Sequence, residues 1–339
     1  MLLKKREMTS KTIPSVLGVG NALIDILTVI KDDSLLKSFG LPRGSMTLVD
    51  TDRSRQIYET VVTGLSEITT GGSVANTMRA MANLGCRGGY MGRIGRDELG
   101  ELFKNDFEKR GLTTHLSYSE TSDTGRVMAL VSQDSERTMA TYLGAAAEMQ
   151  AADFLLEMLN GYDVMYVEGY LVFNHELIQT AVETAKKAGL KIALDLSSYN
   201  VVEANLDFLK KTLVNYVDIV FANEEEARAL TGLEPKEALH EIAGYCEIAV
   251  VKIGKGGSLI KRGEEVTRVG VIPANAVDTT GAGDAYAAGF FYGLTNGYDM
   301  EACGRIAALV SGKVVEVMGP NLPDSAWPGV KQEIARIVG

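Results

Sequence analysis

Cysteine is scarce: Cys86, Cys246 and Cys303 are three in 339 residues, odd in number and far apart. That excludes a disulfide framework and a closely spaced zinc site, and it suits a reduced, cytoplasmic setting. Basic residues are too few for a nucleic-acid binder. With 34 Lys and Arg against 44 Asp and Glu, the chain lacks the positive footprint that a phosphate backbone requires. No apolar run approaches the ~18–20 residues of a membrane span. The basic opening MLLKKREMTSKTIP has no apolar h-region, so residues 1–14 read as a disordered tail, with Met8 an alternative start, and not as a signal peptide. Proline is also rare, 7 against 36 glycines. Glycine without proline points to tight turns and close backbone approach to a ligand, not to linkers. The 46% hydrophobic and 23% charged content excludes wholesale disorder.

Several nucleotide and catalytic motifs are missing too. GVGNAL (18–23) begins like a dinucleotide fingerprint, but Leu23 stands where its third glycine belongs. Gly254–Lys255 and Gly312–Lys313 do not continue as a phosphate-binding Walker loop. GGSVA (71–75) lacks the final glycine of a hydrolase elbow, because Ala75 occupies it. His115, His175 and His240 are isolated and read as surface or satisfied residues.

What remains is strongly patterned. SVLGVG (15–20), DVMYVEG (163–169), KIALDLS (191–197), VDIVFAN (217–223) and EIAVVKIG (247–254) are apolar runs of strand length. Helical spacing separates them, as in Leu177, Ile178, Ala181, Val182 and Ala185, with Gly189 as the stop. NTMRAMANLG (76–85) and DELGELFKNDFEKRG (97–111) are further helices. Near-continuous apolar strands alternating with helices predict an α/β fold with a mainly parallel sheet covered on both faces. Residues 26–50 and 124–143 break the rhythm as short strands with polar turns, and are expected to pair as a small antiparallel lid sheet. Residues 15–25, 51–123 and 144–339 then form the large domain.

The richest segment is NAVDTTGAGDAYAAGFFYGL (275–294). Gly281, Ala282 and Gly283 open an apolar helix, so first-turn N–H groups converge where the helix dipole favours negative charge. Such an anion hole suits phosphoryl oxygens, and Asp284 beside it could take a proton from an attacking hydroxyl. The competing reading of GAGD alone is an acidic residue that complements the dipole after a tight turn.

DTTGAGDAYAAGF resembles the C-terminal signature of the ribokinase/PfkB family of carbohydrate and nucleoside kinases. GGSVANTMRAMANLG (71–85), running into GRIGRDELG (92–100), resembles the other signature, in family order, and the likeness covers about residues 15–325. The resemblance implies a ribokinase-like fold with a β-sheet lid, ATP and Mg²⁺ as cofactors, and a small-molecule nucleoside or sugar as partner. It implies Asp284 as the base with the Gly281–Gly283 anion hole. Asn21, Asp25, Gly72, Ser73 and Asn76 match its sugar-hydroxyl ligands; Asn76 offers both donor and acceptor to neighbouring hydroxyls. Asn223 and Glu226 match its N-x-x-E motif, with Glu226 reaching Mg²⁺ through water. VKIGKGGSLI (251–260) resembles the nucleotide-binding strand and turn, placing Lys252, Gly254 and Gly257 near ATP, although Lys252 replaces the Thr or Ser frequent there. The segment 308–321, including Ser311, is expected over the adenine, and its backbone, with that of Asp278 and Thr280, is expected to hold a monovalent cation such as K⁺.

Within the family, GNALIDI (20–26) and SERTMATYLGAA (135–146) resemble the adenosine-kinase branch. Leu143 and Ala145 are expected near the base, Tyr170 stacked on a purine, and Arg137 swinging over the cleft from the lid turn. The reading is an ATP-dependent kinase of the 5′-hydroxyl of adenosine, a monomer or homodimer without nucleic-acid or membrane partners. A free-sugar kinase and a non-catalytic nucleoside or sugar sensor are the alternatives.

Overall fold

The computed structural model describes residues 14–62, 66–134 and 136–339. Of the expected tail, residues 1–13, Met8 included, lie outside the described residues. In chain order the strands are β1 (Val16–Val19), β2 (Leu23–Val29), β3 (Met46–Leu48), β4 (Glu67–Gly71), β5 (Gly88–Ile94), β6 (Thr113–Tyr118), β7 (Gly125–Val131), β8 (Arg137–Tyr142), β9 (Val164–Glu168), β10 (Lys191–Asp195), β11 (Ile219–Asn223), β12 (Ile248–Lys252), β13 (Ser258–Arg262) and β14 (Glu265–Val269).

Nine of them form one sheet in the order β14-β13-β12-β11-β10-β9-β1-β5-β6. From β12 to β6 every pairing is parallel; β13 and β14 return antiparallel at one edge. The apolar runs read from the sequence are these central strands, and they are continuous because both faces are covered. One face carries the helices Ser73–Leu84, Ala282–Thr295 and Met300–Val314, packed over Val16, Tyr166, Phe221 and Val250. The other carries His175–Ala188, Leu206–Tyr216 and Pro235–Ile242 over Leu17, Met165, Leu194 and Val251. His175–Ala188 shows how local sequence sets these limits. The Asn174 side chain accepts from the Leu177 N–H at its start, and Gly189 at φ 82° ends it in the left-handed region.

Chain order turns around at β1, which lies between β5 and β9. Such a switch opens a crevice at the carboxyl ends of the strands, where ligands of open α/β sheets bind.

A second sheet, β3-β8-β7-β2-β4, stands beside this crevice. It differs from the expected lid in two ways. It is mixed and not antiparallel, since β2 pairs with β7 and β3 with β8 in parallel. It also draws in β4 and the helix Thr51–Val61, both given to the large domain from sequence. The helix belongs here because Ile57 and Val61 close a separate small core with Leu36, Met128, Leu130 and Ala140. EITTG is too short and polar to declare its sheet by periodicity. Among the described residues no helix is long and apolar enough to cross a membrane.

Candidate active site

The carboxyl ends of the parallel strands converge on the crevice. Asn21 follows β1, and β9, β10, β11 and β12 end in Glu168, Asp195, Asn223 and Lys252. A cavity of about 850 Å³ opens between the β1 and β9 ends, at Asn21 and Glu168, and the small sheet. Asn21, Asp25, Gly72, Ser73, Asn76 and Asp284 all line it, although Asp284 is 208 residues from Asn76.

Asp284 is held from both sides. Ser73 Oγ donates to its Oδ1 (2.7 Å) and Asn76 Nδ2 to its Oδ2 (3.0 Å). Desolvation raises its pKa to about 6, against the lowering effect of those two donors. Asp25 is lifted to about 7, by desolvation first and then by the Asp284 charge. Glu168, only 2% exposed, was not singled out from sequence. It accepts from Asn21 Nδ2 (2.6 Å), Asn21 N (3.3 Å) and Val74 N (3.4 Å), joining Asn21 to the start of helix Ser73–Leu84. Burial raises its pKa to about 7 as well. The turn that makes this meeting possible needs Gly72. Its φ is 96°, and a Cβ there would lie 2.2 Å from the Asn21 carbonyl oxygen.

Gly281, at φ 75°, precedes the helix Ala282–Thr295 and offers no side-chain cap. The Ala282 N–H donates to the Thr279 carbonyl (3.2 Å), which leaves the Gly283 and Asp284 N–H groups, without an acceptor inside the helix, at the helix start. A Cβ on Gly281 would sit 2.5 Å from Pro320 Cβ, so larger residues are excluded. Ser311, expected at the nucleotide, instead fastens this turn by donating to the Ala282 carbonyl (2.9 Å). Residues 318–321, expected over the adenine, line the cavity near Asp284. Asn321 Nδ2 lies 3.3 Å from Asn76 Oδ1.

Asn223 and Glu226 form a reciprocal cap at the helix Glu224–Thr231. Asn223 Oδ1 accepts from the Glu226 N–H (2.8 Å), and Glu226 accepts from Asn223 N (2.8 Å) and Nδ2 (2.7 Å). Desolvation, then the Asp195 charge, raises the Glu226 pKa to about 7. Gly254 and Gly257 shape the turn after β12, on the same rim but outside the cavity lining. Among the described residues no cluster of three metal-ligating side chains occurs. Glu226 brings a single carboxylate to this rim, and Mg²⁺ takes only one or two carboxylates beside its waters and substrate phosphates.

Arg137 differs from its expected place. It is the first residue of β8, opposite Val131, and not part of a mobile turn. Its guanidinium meets Asp278 Oδ2 at 2.7 Å and donates to Thr280 Oγ1 at 3.1 Å, bridging the small sheet to the loop before the anion hole. Asp278 also accepts from Gly319 N (2.7 Å), Thr280 N (3.0 Å) and Thr280 Oγ1 (2.8 Å). The Asp278 carboxylate is thus engaged at both oxygens by groups of the protein itself.

The far wall of the cavity is apolar. Leu143 and Tyr170 line it, whereas Ala145 is wholly buried behind and its neighbours Ala146 and Ala147 face inward. Phe173, 63% exposed, also lines the cavity and was not singled out from sequence, where only Tyr170 of the run YLVF was read as facing a ligand. Asp195 was missed too, although a charge ending an apolar strand is a visible signal.

The pfkB family carbohydrate kinase profile matches residues 47–327. Adenosine kinase 2 of Arabidopsis thaliana is 28% identical to this chain over 91% of it and 96% of that protein. The crystal structure of adenosine kinase from Sinorhizobium meliloti superposes with a TM-score of 0.84 at 36% identity, covering 95% of this chain and 100% of that one. A probable sugar kinase from Rhizobium etli CFN 42 superposes equally well, at 0.84 and 34% identity, covering 96% and 99%.

Proposed function

The chain belongs to the pfkB family of carbohydrate kinases, ATP-dependent phosphotransferases, and we propose that its acceptor is a nucleoside, adenosine foremost, phosphorylated at the 5′-hydroxyl. The observation that carries this is the two-sided cavity. Its floor of Asn21, Asp25 and Asn76 suits vicinal hydroxyls, and its far wall of Leu143, Met149, Tyr170 and Phe173 suits a flat apolar base. A free pentose or hexose carries hydroxyls on nearly every carbon and has nothing to offer that wall. The likeness to adenosine kinases of A. thaliana and S. meliloti over nearly the whole chain supports the same acceptor.

In this reading the ribose hydroxyls hydrogen-bond to Asp25 and Asn76, leaving the 5′-oxygen beside Asp284. Each carboxylate oxygen of Asp284 has a lone pair beyond the one given to Ser73 or Asn76. Asp284 takes the hydroxyl proton as the O5′–Pγ bond forms and the bond from Pγ to the bridging oxygen of ADP breaks. The first-turn N–H groups after Gly281 receive the charge on the phosphoryl oxygens. Glu226, through water, would help hold Mg²⁺ beside ATP, where the ion would supply positive charge to the phosphates. Arg137, tied to Asp278 and Thr280, keeps the small sheet over the cavity and water away from ATP.

The test is ADP release with adenosine, other nucleosides, ribose and fructose. Adenosine should give the highest kcat/KM, by at least tenfold over either sugar. A sugar preferred over every nucleoside overturns the acceptor assignment, and tight adenosine binding without ADP release favours a sensor.

Glu226→Gln keeps an acceptor and a donor for the helix cap but removes the charge. It should raise the Mg²⁺ concentration needed for half-maximal rate several-fold and leave adenosine affinity unchanged. An unaltered magnesium titration at matched ATP would show that Glu226 serves only as a cap.

A further inference from the structure

The nucleotide side of the crevice contains a buried ion pair that the mechanism above does not use. Lys252, at the end of β12, places Nζ 3.4 Å from Asp195 Oδ2, at the end of β10. Both side chains are largely buried, at 17% and 7% exposure. β11 separates the two strands, so their tips meet across the crevice floor. Nζ also approaches the anion hole: a methyl placed on Gly283 would lie 3.2 Å from it. An ammonium has three donors, and Asp195 takes one of them.

We propose that Lys252 is a catalytic residue that contacts the γ-phosphoryl group of ATP as it transfers, and that Asp195 is its positioning residue. This rests on the phosphotransferase reading of the site. Three features support it together: the remaining donors, the shared wall with Gly283, and the position at the carboxyl ends of the strands. The reaction needs positive charge at this place. As the acceptor oxygen bonds to Pγ and the bond to ADP breaks, negative charge sits on the equatorial oxygens and the departing ADP. The Lys252 ammonium supplies a fixed counter-charge and exchanges no proton with either.

A lysine is a compact point charge on a flexible stem, and when buried it readily loses its proton. Here desolvation works against the ammonium, but the charges of Asp195, Glu226 and Asp284 outweigh it and raise its pKa above the ordinary lysine value. These three carboxylates, on β10 and the helices Glu224–Thr231 and Ala282–Thr295, are the acidic groups that act on it. Asp195 also fixes direction. Its Oδ2 holds Nζ from one side, while its Oδ1 accepts from Ser197 N (2.8 Å), which locks the carboxylate in place.

The experiment uses the full chain and two readouts, calorimetric titration with Mg-ATP and Mg-ADP, and steady-state kinetics. Lys252→Met should lose most of any preference for ATP over ADP, lower kcat by roughly 10²–10³, and leave adenosine affinity within twofold. Lys252→Arg should recover part of the rate. In Asp195→Asn the ammonium loses one of its three stabilising charges, so the alkaline limb of the kcat profile should move to lower pH. A purely structural Asp195 would lower the rate without moving that limb. If Lys252→Met does not fold because Asp195 is left unpaired, the double variant Lys252→Met/Asp195→Asn removes both charges and takes the same two measurements. A Lys252→Met protein that keeps wild-type kcat and the wild-type ATP-to-ADP affinity ratio overturns the proposal. If no acceptor supports ADP release in the wild type, the phosphotransferase reading of the site fails, while the nucleotide titrations still decide the role of Lys252.

Discussion

Asp284→Asn is expected to lower kcat by roughly 10²–10⁴, about 3–5 kcal/mol of barrier, with ATP and acceptor binding nearly unchanged. The asparagine keeps the shape and can still accept from Ser73 or Asn76, so the helix start should stay intact. What it loses is the ability to take a proton. The wild-type pH profile should carry the same signature. Asp284 must be ionised to act, and desolvation raises its pKa to about 6. Asp25, in the same cavity, is raised to about 7. The Asp284 charge lifts Asp25, so the two ionise in sequence, Asp284 first. kcat/KM should therefore be constant above about pH 7 and fall as pH drops below the 6–7 interval. In Asp25→Asn only the Asp284 carboxyl remains to titrate there, so the acid limb should narrow to a single ionisation at about pH 6. Near-normal turnover by Asp284→Asn would remove Asp284 from the base role, and an acid limb centred near pH 4 would show that the cavity does not shift its carboxylates.

Arg137→Ala is the second variant with a large expected effect. Removing one member of a buried ion pair leaves the other uncompensated, typically at roughly 3–5 kcal/mol. Here the pair joins two parts of the molecule, the small sheet and the loop before the anion hole. The penalty should then appear chiefly as loosening of the small sheet, with the large sheet staying folded. kcat/KM for adenosine should fall by roughly 10²–10³. Hydrogen exchange is the direct readout. In the wild type, acceptor should slow exchange in β7 and β8 more than in the helix Ala282–Thr295; in the variant that protection should disappear. Arg137→Lys should recover little, because a single ammonium cannot serve Asp278 and Thr280 in the geometry of the forked guanidinium. Full activity of Arg137→Ala, together with exchange unaffected by acceptor, would exclude closure of the small sheet as part of the cycle.

Local pattern in the chain was enough to determine five strands of the large sheet, β1 and β9 to β12, and the two glycine-bearing helix starts. Continuous apolar runs such as VMYVE and IVFAN mark strands buried on both faces, and Gly85, Gly189 and Gly232 mark helix ends by their left-handed backbone. GGSVAN and GAGD could likewise be read as places where backbone and polar side chains approach a ligand. Other features depend on contacts that no short window of sequence contains. β4 joins the small sheet because it pairs with β2, some 40 residues earlier, and its five residues carry no periodic signature. Ala145 and Ala146 are adjacent alanines, and only the turn of the segment 144–148 decides which one faces the cavity. The Ser73–Asp284, Arg137–Asp278 and Lys252–Asp195 contacts span 211, 141 and 57 residues. Each places a charge that is costly to bury beside a group that helps make its burial tolerable, and such partners are chosen by the crossing of strands and loops in space. The sequence by itself determined which residues could do chemistry; the tertiary structure decided which of them share a site, because only strand order brings the carboxyl ends of β1, β9, β10, β11 and β12 to one crevice.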